Sequence, residues 1–363
     1  MSAGVQAQQC RQAAGLFRLG ARGLVVVVGV DRVRWLNGML TNDVARLAAG
    51  RERSGCQALL LTRIGRIVAD LHVLLRGDSF WLECAPEAVA AVLATLGKFI
   101  IADDVRLSDA SPAWECLALE GPATNAIFGA AAGEPPGLAR DSADAFVIAR
   151  TNLIAGAWGV SGEDALQLFV PAGSSASVCE SLRRAGAGHS LLEADAEALE
   201  VLRIEAGTPR FGRELSEAVL PAEAGLERAI STTKGCYTGQ EIVARMATRG
   251  DASHALVGLA LAGEAIPTAG AAVSSRGVRI GELTSAACSA SAGTIALAYV
   301  RRAHAALGTP LEVEGRDRKR NQKNKLNQKK IVNQVAKNKS SMSHHRLLLQ
   351  DDKKLIMSLG VGR

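Results

Sequence analysis

The stretch Lys234-Gly235-Cys236-Tyr237-Thr238-Gly239-Gln240-Glu241 brings a cation, a thiol, a phenol, an amide and a carboxylate together within eight residues. Gly235 and Gly239 allow backbone conformations and close approaches that other residues resist. Such a segment can present both its backbone and a thiol to a ligand. A basic neighbour and glycine amides are surroundings of the kind that favour a thiolate. Cys236 therefore reads as a nucleophile, as a transient cluster or redox ligand, or as a half-buried structural thiol.

Other residues carry chemistry in less concentrated form. In the run Arg66–Leu75, Ile67, Ala69, Leu71 and Val73 alternate with Val68, Asp70, His72 and Leu74. Asp70 then shares a strand face with Val68 and His72. A carboxylate in an apolar strand is paired, lies at an edge, or works on a ligand. Thr41-Asn42-Asp43 breaks a helical pattern with turn formers, which makes it a capped loop or the polar lip of a site. Ser161-Gly162-Glu163-Asp164 is a turn by composition. Arg203 lies beside the apolar stripe of a helix, near its C-terminal end, where a cation also favours the helix dipole.

These groups need strands and helices to hold them. Leu24–Val30 is a β-branched run suited to a buried strand, and Asp31 can cap a helix from Arg32 to about Leu40. Gln57–Thr62 and Arg66–Leu75 form a hairpin-like pair around Arg63-Ile64-Gly65, followed by a strand over Ser79–Cys84 and a helix from Pro86. Strands are expected over Ala113–Leu119, Ala145–Arg150 and Gln167–Val170, and a helix over Ser174–Ala185. Ser190-Leu191-Leu192-Glu193 has capping-box form and predicts a helix running on to Ala206, stopped by Gly207 and Pro209. The irregular polar stretch that follows is long for a compact domain, and such loops are usually functional. Residues 253–300 hold short β runs between glycine turns, the pattern of a small β-barrel behind a linker at 247–252.

Composition narrows the class. The 363 residues are 48% hydrophobic and 21% charged, ordinary values for a globular protein of two or three domains. No apolar run reaches the roughly 18 residues of a membrane helix. Seven scattered cysteines without a CxxC fit a reducing compartment and argue against a metal centre built by this chain. The net charge of +6 is misleading, because residues 316–363 hold nine of the eleven lysines and five arginines against three aspartates. The remainder is net acidic. That tail lacks aromatics and predicts disorder, with weak nucleic-acid contact as its one suggested use. Residues 1–30 lack acids and read as a short leader on a cytoplasmic protein.

Taken together, Trp35-Leu36-Asn37-Gly38-Met39-Leu40-Thr41-Asn42-Asp43-Val44, Gly65-Arg66-Ile67, Arg203-Ile204-Glu205-Ala206-Gly207-Thr208-Pro209-Arg210-Phe211-Gly212 and the Lys234–Glu241 string resemble the YgfZ family. So do Ile242-Val243-Ala244-Arg245 and Arg249-Gly250 beyond it. These proteins are relatives of the glycine-cleavage T-protein, an aminomethyltransferase. The resemblance covers roughly residues 16–315. It implies an α+β, aminomethyltransferase-like folate-binding fold, with mixed α/β lobes around a central channel and a C-terminal small β-barrel. The implied divisions are 1–246, in two lobes of about 16–110 and 111–246, then 247–315 for the barrel and 316–363 for the tail.

The resemblance also implies a ligand, tetrahydrofolate or a one-carbon derivative. It implies a role in assembly, maturation or repair of iron–sulfur proteins, radical tRNA-modifying enzymes among them, and no membrane partner. Asp70 resembles the T-protein's catalytic aspartate, Glu163 the glutamate that holds the pterin, and Arg203 an arginine near the ligand. Lys234 and Cys236 join Asp70 as catalytic candidates. Asn42, Asp70, Glu163, Arg203, Tyr237, Gln240 and Arg245 are the folate-binding candidates. A carboxylate suits the donor edge of a pterin, and an anionic glutamate tail favours arginines such as Arg203 or Arg245. Cys236 and Gln240 depart from the T-protein pattern and match YgfZ. The leading expectation is thus an iron–sulfur factor with Cys236 essential. The alternatives are an aminomethyltransferase and a non-catalytic folate-binding or tRNA-associated module.

Overall fold

The computed structural model describes residues 1–49, 55–250 and 252–314. The first lobe and its approach comprise helix α1 (Ala3–Gln12), strands β1 (Ala14–Gly20) and β2 (Gly23–Val28), helices α2 (Arg32–Met39) and α3 (Ala45–Ala48), strands β3 (Gly55–Leu61), β4 (Ile67–Arg76) and β5 (Ser79–Cys84), helix α4 (Val89–Gly97) and strand β6 (Arg106–Asp109). The second lobe carries β7 (Trp114–Glu120), α5 (Thr124–Ala132), β8 (Ala143–Ile148), β9 (Thr151–Gly156), β10 (Ala165–Pro171), α6 (Ser175–Gly186), β11 (Leu191–Glu193) and α7 (Ala196–Ala206). Helices α8 (Pro221–Ala224) and α9 (Gln240–Arg249) punctuate a long connection to β12 (His254–Leu261), β13 (Ala272–Ser275), β14 (Val278–Ser289), β15 (Gly293–Arg301) and β16 (Glu312–Val313).

Three sheets result. The first is β3-β4-β5-β2-β6, the second β11-β1-β7-β10-β9-β8, and the third β12-β15-β14-β13-β16. Every pairing is antiparallel except β1 with β11. One face of the first sheet packs on α2 and α4 through Val25, Val27, Leu36, Leu71, Val73 and Val92. Its other face meets the second sheet. There Leu74 joins Cys116, Ile154, Trp158 and Phe169 in one buried cluster, with Trp81 and Trp114 against it.

The structure corrects three readings. The expected leader is built into the protein: Ala7, Cys10, Ala14, Leu16 and Phe17 are buried, and β1 pairs with β7 and β11. The chain therefore starts in the second sheet before crossing to the first, and a lobe boundary at about 110 does not separate the two cleanly. Residues 191–193 are a strand, not a first helical turn. Ser190 takes a left-handed conformation, φ 54°, and α7 begins only after Asp195. Parallel pairing with β1 outweighs the local capping pattern. Finally, α9 runs to Arg249, through the first half of the expected linker. The basic tail lies outside the described residues.

Candidate functional site

The face of the first sheet turned toward the second carries a polar row. In the ladders Leu59 faces Asp70, Gln57 faces His72, and His72 faces Glu83. Cross-strand partners share a face, so Gln57, Asp70, His72 and Glu83 project together. Glu83 is 2% exposed, and Arg22 reaches it at 2.6 Å. His72 Nδ1 lies 3.0 Å from its other oxygen. The His72 ring stacks on Trp158 with centroids 4.5 Å apart and planes 10° from parallel.

Two carboxylates on this face thus have opposite surroundings. Burial alone would raise Glu83, but the Arg22 charge and the His72 hydrogen bond outweigh it and hold Glu83 at about 2. Burial raises Asp70 above the usual carboxylate range, and the Glu83 charge pushes the same way against His72 and Arg22. Among the described residues no side chain donates a hydrogen bond to Asp70. The Trp158 Nε1–H is buried and also lacks a partner. An aromatic floor, an unused donor and an unused carboxylate thus lie along one partly solvated face. Those features fit a flat heteroaromatic ligand with donor and acceptor edges.

Glu83 gives the fold a pH dependence. Its folded pKa lies below the unfolded value, so its stabilisation is present above about 4.5 and is lost as pH falls toward 2. The loss is on the order of 3 kcal/mol. Chemical denaturation across that range should show the decline, and Glu83→Gln should flatten it.

The motif loop reaches this region from the β3 side. Lys234 Nζ donates to the carbonyls of Asn37, of Leu40 at 2.7 Å and of Asn42 at 2.9 Å. It thereby satisfies carbonyls that α2 leaves unpaired at its C-terminal end. Burial lowers Lys234 to about 8, opposed by Asp43 and Cys56; the three carbonyl dipoles also favour the ammonium. Its charge sits 5.2 Å from the centre of the Tyr237 ring. Tyr237 is buried with Leu59, Leu61 and Ile67, so the loop is seated beside the strand residue that faces Asp70. Gln240 accepts a bond from the Tyr237 backbone N–H at 3.3 Å, and Thr238 N–H donates to Gly38 O at 3.2 Å. Cys236 is exposed.

Gly239 is required here. Its φ is +83°, and a Cβ would lie 2.6 Å from Thr62 O in the β3–β4 turn. Gly239→Ala should cost about 1–3 kcal/mol and loosen the loop. Thermal unfolding and faster reaction of Cys236 with a disulfide reagent would register both effects. Gly235 has no such constraint: a Cβ there meets nothing within 4 Å.

The remaining candidates are distributed elsewhere. Asn42 donates to Gln57 O at 2.7 Å and accepts from Asp43 N at 2.9 Å, so its amide braces the loop. Glu163 is paired with Arg11 at 2.8 Å, and Arg11 also binds Glu205 at 2.6 Å. Arg203 is 2% exposed and spends its five N–H donors on Glu200, Thr208, Glu214 and Ser285. Arg245 is exposed on α9. The structure thus seats Tyr237 of the Lys234 loop against Leu59, the strand partner of Asp70, and leaves Glu163 and Arg203 engaged by protein groups. Arg22, Glu83 and Trp158 were not singled out from sequence. His72 was noted only as a face-mate of Asp70. The available signal was the position of Glu83 inside an apolar strand.

Comparison with known proteins fixes the family. The GCVT N-terminal domain matches residues 2–234, and the glycine cleavage T-protein C-terminal barrel domain matches 254–324. The chain belongs to the glycine cleavage T-protein family. An aminomethyltransferase of Geobacillus kaustophilus is 31% identical over 317 residues, covering 85% of each chain. One from Rubrobacter xylanophilus is 33% identical over 311 residues, covering 82% of this chain and 79% of the relative. The crystal structure of the glycine cleavage system aminomethyltransferase T from Bartonella henselae superposes with a TM-score of 0.79 at 25% identity, covering 92% of this chain and 89% of that one. This T-protein-family chain therefore has the expected lobes and C-terminal β domain. Its two matched segments leave residues 235–253 between them, and those hold most of the motif loop. Among the described residues no helix is long and apolar enough to cross a membrane.

Proposed function

We propose that this protein binds tetrahydrofolate, or a one-carbon derivative, against the face that carries Asp70 and Trp158, and acts as an aminomethyltransferase of the T-protein kind. The observation that carries this reading is Asp70: a half-buried carboxyl with no side-chain donor among the described residues, raised above its usual range, on the same strand face as His72, whose ring stacks on Trp158 with its unpartnered indole N–H. Folate, when bound, supplies the nitrogen that accepts a one-carbon unit. The chain's own groups then divide the work. Asp70 holds or accepts a proton at the bound ring, Trp158 offers a donor, and the Lys234–Gln240 loop closes the β3 side. Arg245 is the exposed cation suited to an anionic tail. The test is purified protein with tetrahydrofolate and an aminomethylated carrier protein. Formation of methylene-tetrahydrofolate is expected; its absence, with no folate binding by calorimetry, overturns the reading.

A second reading is favoured by one specific feature. Cys236 presents an exposed thiol from a loop that lies between the family-matched segments. This supports the narrower YgfZ-like role, in which the folate-binding protein serves assembly or repair of iron–sulfur proteins and contacts such clients. Cys236→Ser should then fail to restore a cluster-dependent enzyme in cells lacking the native homologue. Full rescue removes Cys236 from that role.

A further inference from the structure

We propose that His72 is a second proton-holding group of this face, with Nδ1–H committed to Glu83 and Nε2 left open as an acceptor that exchanges a proton with Asp70. The catalytic consequence rests on the folate reading above; the state of the ring does not.

The argument begins with Glu83. Arg22 holds it as a carboxylate, and a carboxylate only accepts hydrogen bonds. The 3.0 Å contact therefore requires the hydrogen on His72 Nδ1. In the neutral ring this leaves Nε2 bare. The ring cannot turn freely, because it is stacked on Trp158 and its strand is fixed between Gln57 and Glu83. Nε2 has no protein partner among the described residues, and the side chain is 19% exposed. A carboxylate, an imidazole held by it and an open Nε2 form the arrangement by which proteins present a base.

Asp70 lies two residues away on the same face, roughly 6.6 Å along the strand. That gap suits one water or one polar ligand atom between the two groups. A proton leaving the Asp70 carboxyl for Nε2 makes a carboxylate and an imidazolium, with no change in net charge. The other titratable or charged groups near the pair are Glu83, Arg22 and Cys116 between the sheets, with Cys84 on the opposite face of the first sheet. Burial raises both thiols, Cys84 to about 12, so they stay protonated. The exchangeable proton is thus confined to Asp70 and His72.

Nitrogen-15 NMR of the whole labelled chain tests this, with His72→Gln used to assign the ring. A neutral ring with Nδ1–H and bare Nε2 is expected; a ring protonated at Nε2 alone overturns the proposal. In the methylene-tetrahydrofolate assay the pH–rate profile should lose one of its two limbs in His72→Gln. A merely structural histidine would lower the rate at every pH alike. If the wild type binds no tetrahydrofolate, the folate reading falls and the NMR results still decide this one.

Discussion

Asp70→Asn is expected to reduce turnover by about 10²–10⁴-fold, the range lost with a general acid or base, while the folded protein becomes more stable at neutral pH. The two effects have one cause. Asp70 is a half-buried carboxyl in an apolar strand whose desolvation raises it, and the negative Glu83 nearby adds to the cost of ionising it. Its folded pKa lies above the unfolded value. Ionisation therefore costs stability, and that cost grows as pH rises from the unfolded pKa through the folded one. Asparagine has nearly the same shape and never ionises. The variant should match the wild type in denaturant at pH 4 and exceed it at pH 8. A functional group placed at the expense of the fold gives this signature. If Asp70→Asn is instead less stable at pH 8, the carboxylate has a partner and is part of the scaffold. Folate affinity should fall far less than turnover, because Trp158 and the motif loop remain.

Asp70 could be found from sequence because strand alternation and one hairpin fix its face. The β3–β4 pair was visible as two apolar runs around Arg63-Ile64-Gly65, and the observed ladder runs from Gly55 to Leu74. What surrounds Asp70 was not visible. Arg22 is 61 residues from Glu83 in the chain, and Trp158 comes from the other sheet, so neither leaves a local pattern. Arg22 was also hidden by the acid-free composition of residues 1–30. The capping-box reading of Ser190–Glu193 failed for a related reason: a three-residue strand is defined by its partner β1, not by its own sequence. Lys234 shows the opposite case. Its closeness to Cys236 in sequence suggested activation of a thiol, whereas its ammonium is turned toward three carbonyls around the end of α2.

The largest loss of stability is expected at Arg203. This residue looked like a ligand for an anionic tail, since it lies in Leu202-Arg203-Ile204-Glu205-Ala206-Gly207. In the structure it joins three elements. It bonds Glu200 on its own helix, Thr208 O and Glu214 in the following loop, and Ser285 on β14. Glu214 is fully buried; it also accepts from Ser285 Oγ at 2.6 Å and from Arg210 N at 3.0 Å. Tyr299 Oη donates to the Glu214 backbone carbonyl at 3.0 Å, tying in β15. Arg203→Ala strands the Glu214 carboxylate in the interior, at a cost of about 3–5 kcal/mol. Arg203→Met with Glu214→Gln removes both charges and should recover much of that loss, a coupling that a double-mutant cycle measures. The discriminating observation is folate affinity. With every donor of Arg203 engaged inside the protein, the fraction of Arg203→Ala that remains folded should bind tetrahydrofolate within about twofold of wild type, a difference of roughly 0.4 kcal/mol. A variant of normal stability that has lost folate would instead place Arg203 at the ligand, and would require the Glu214 network to open when folate binds.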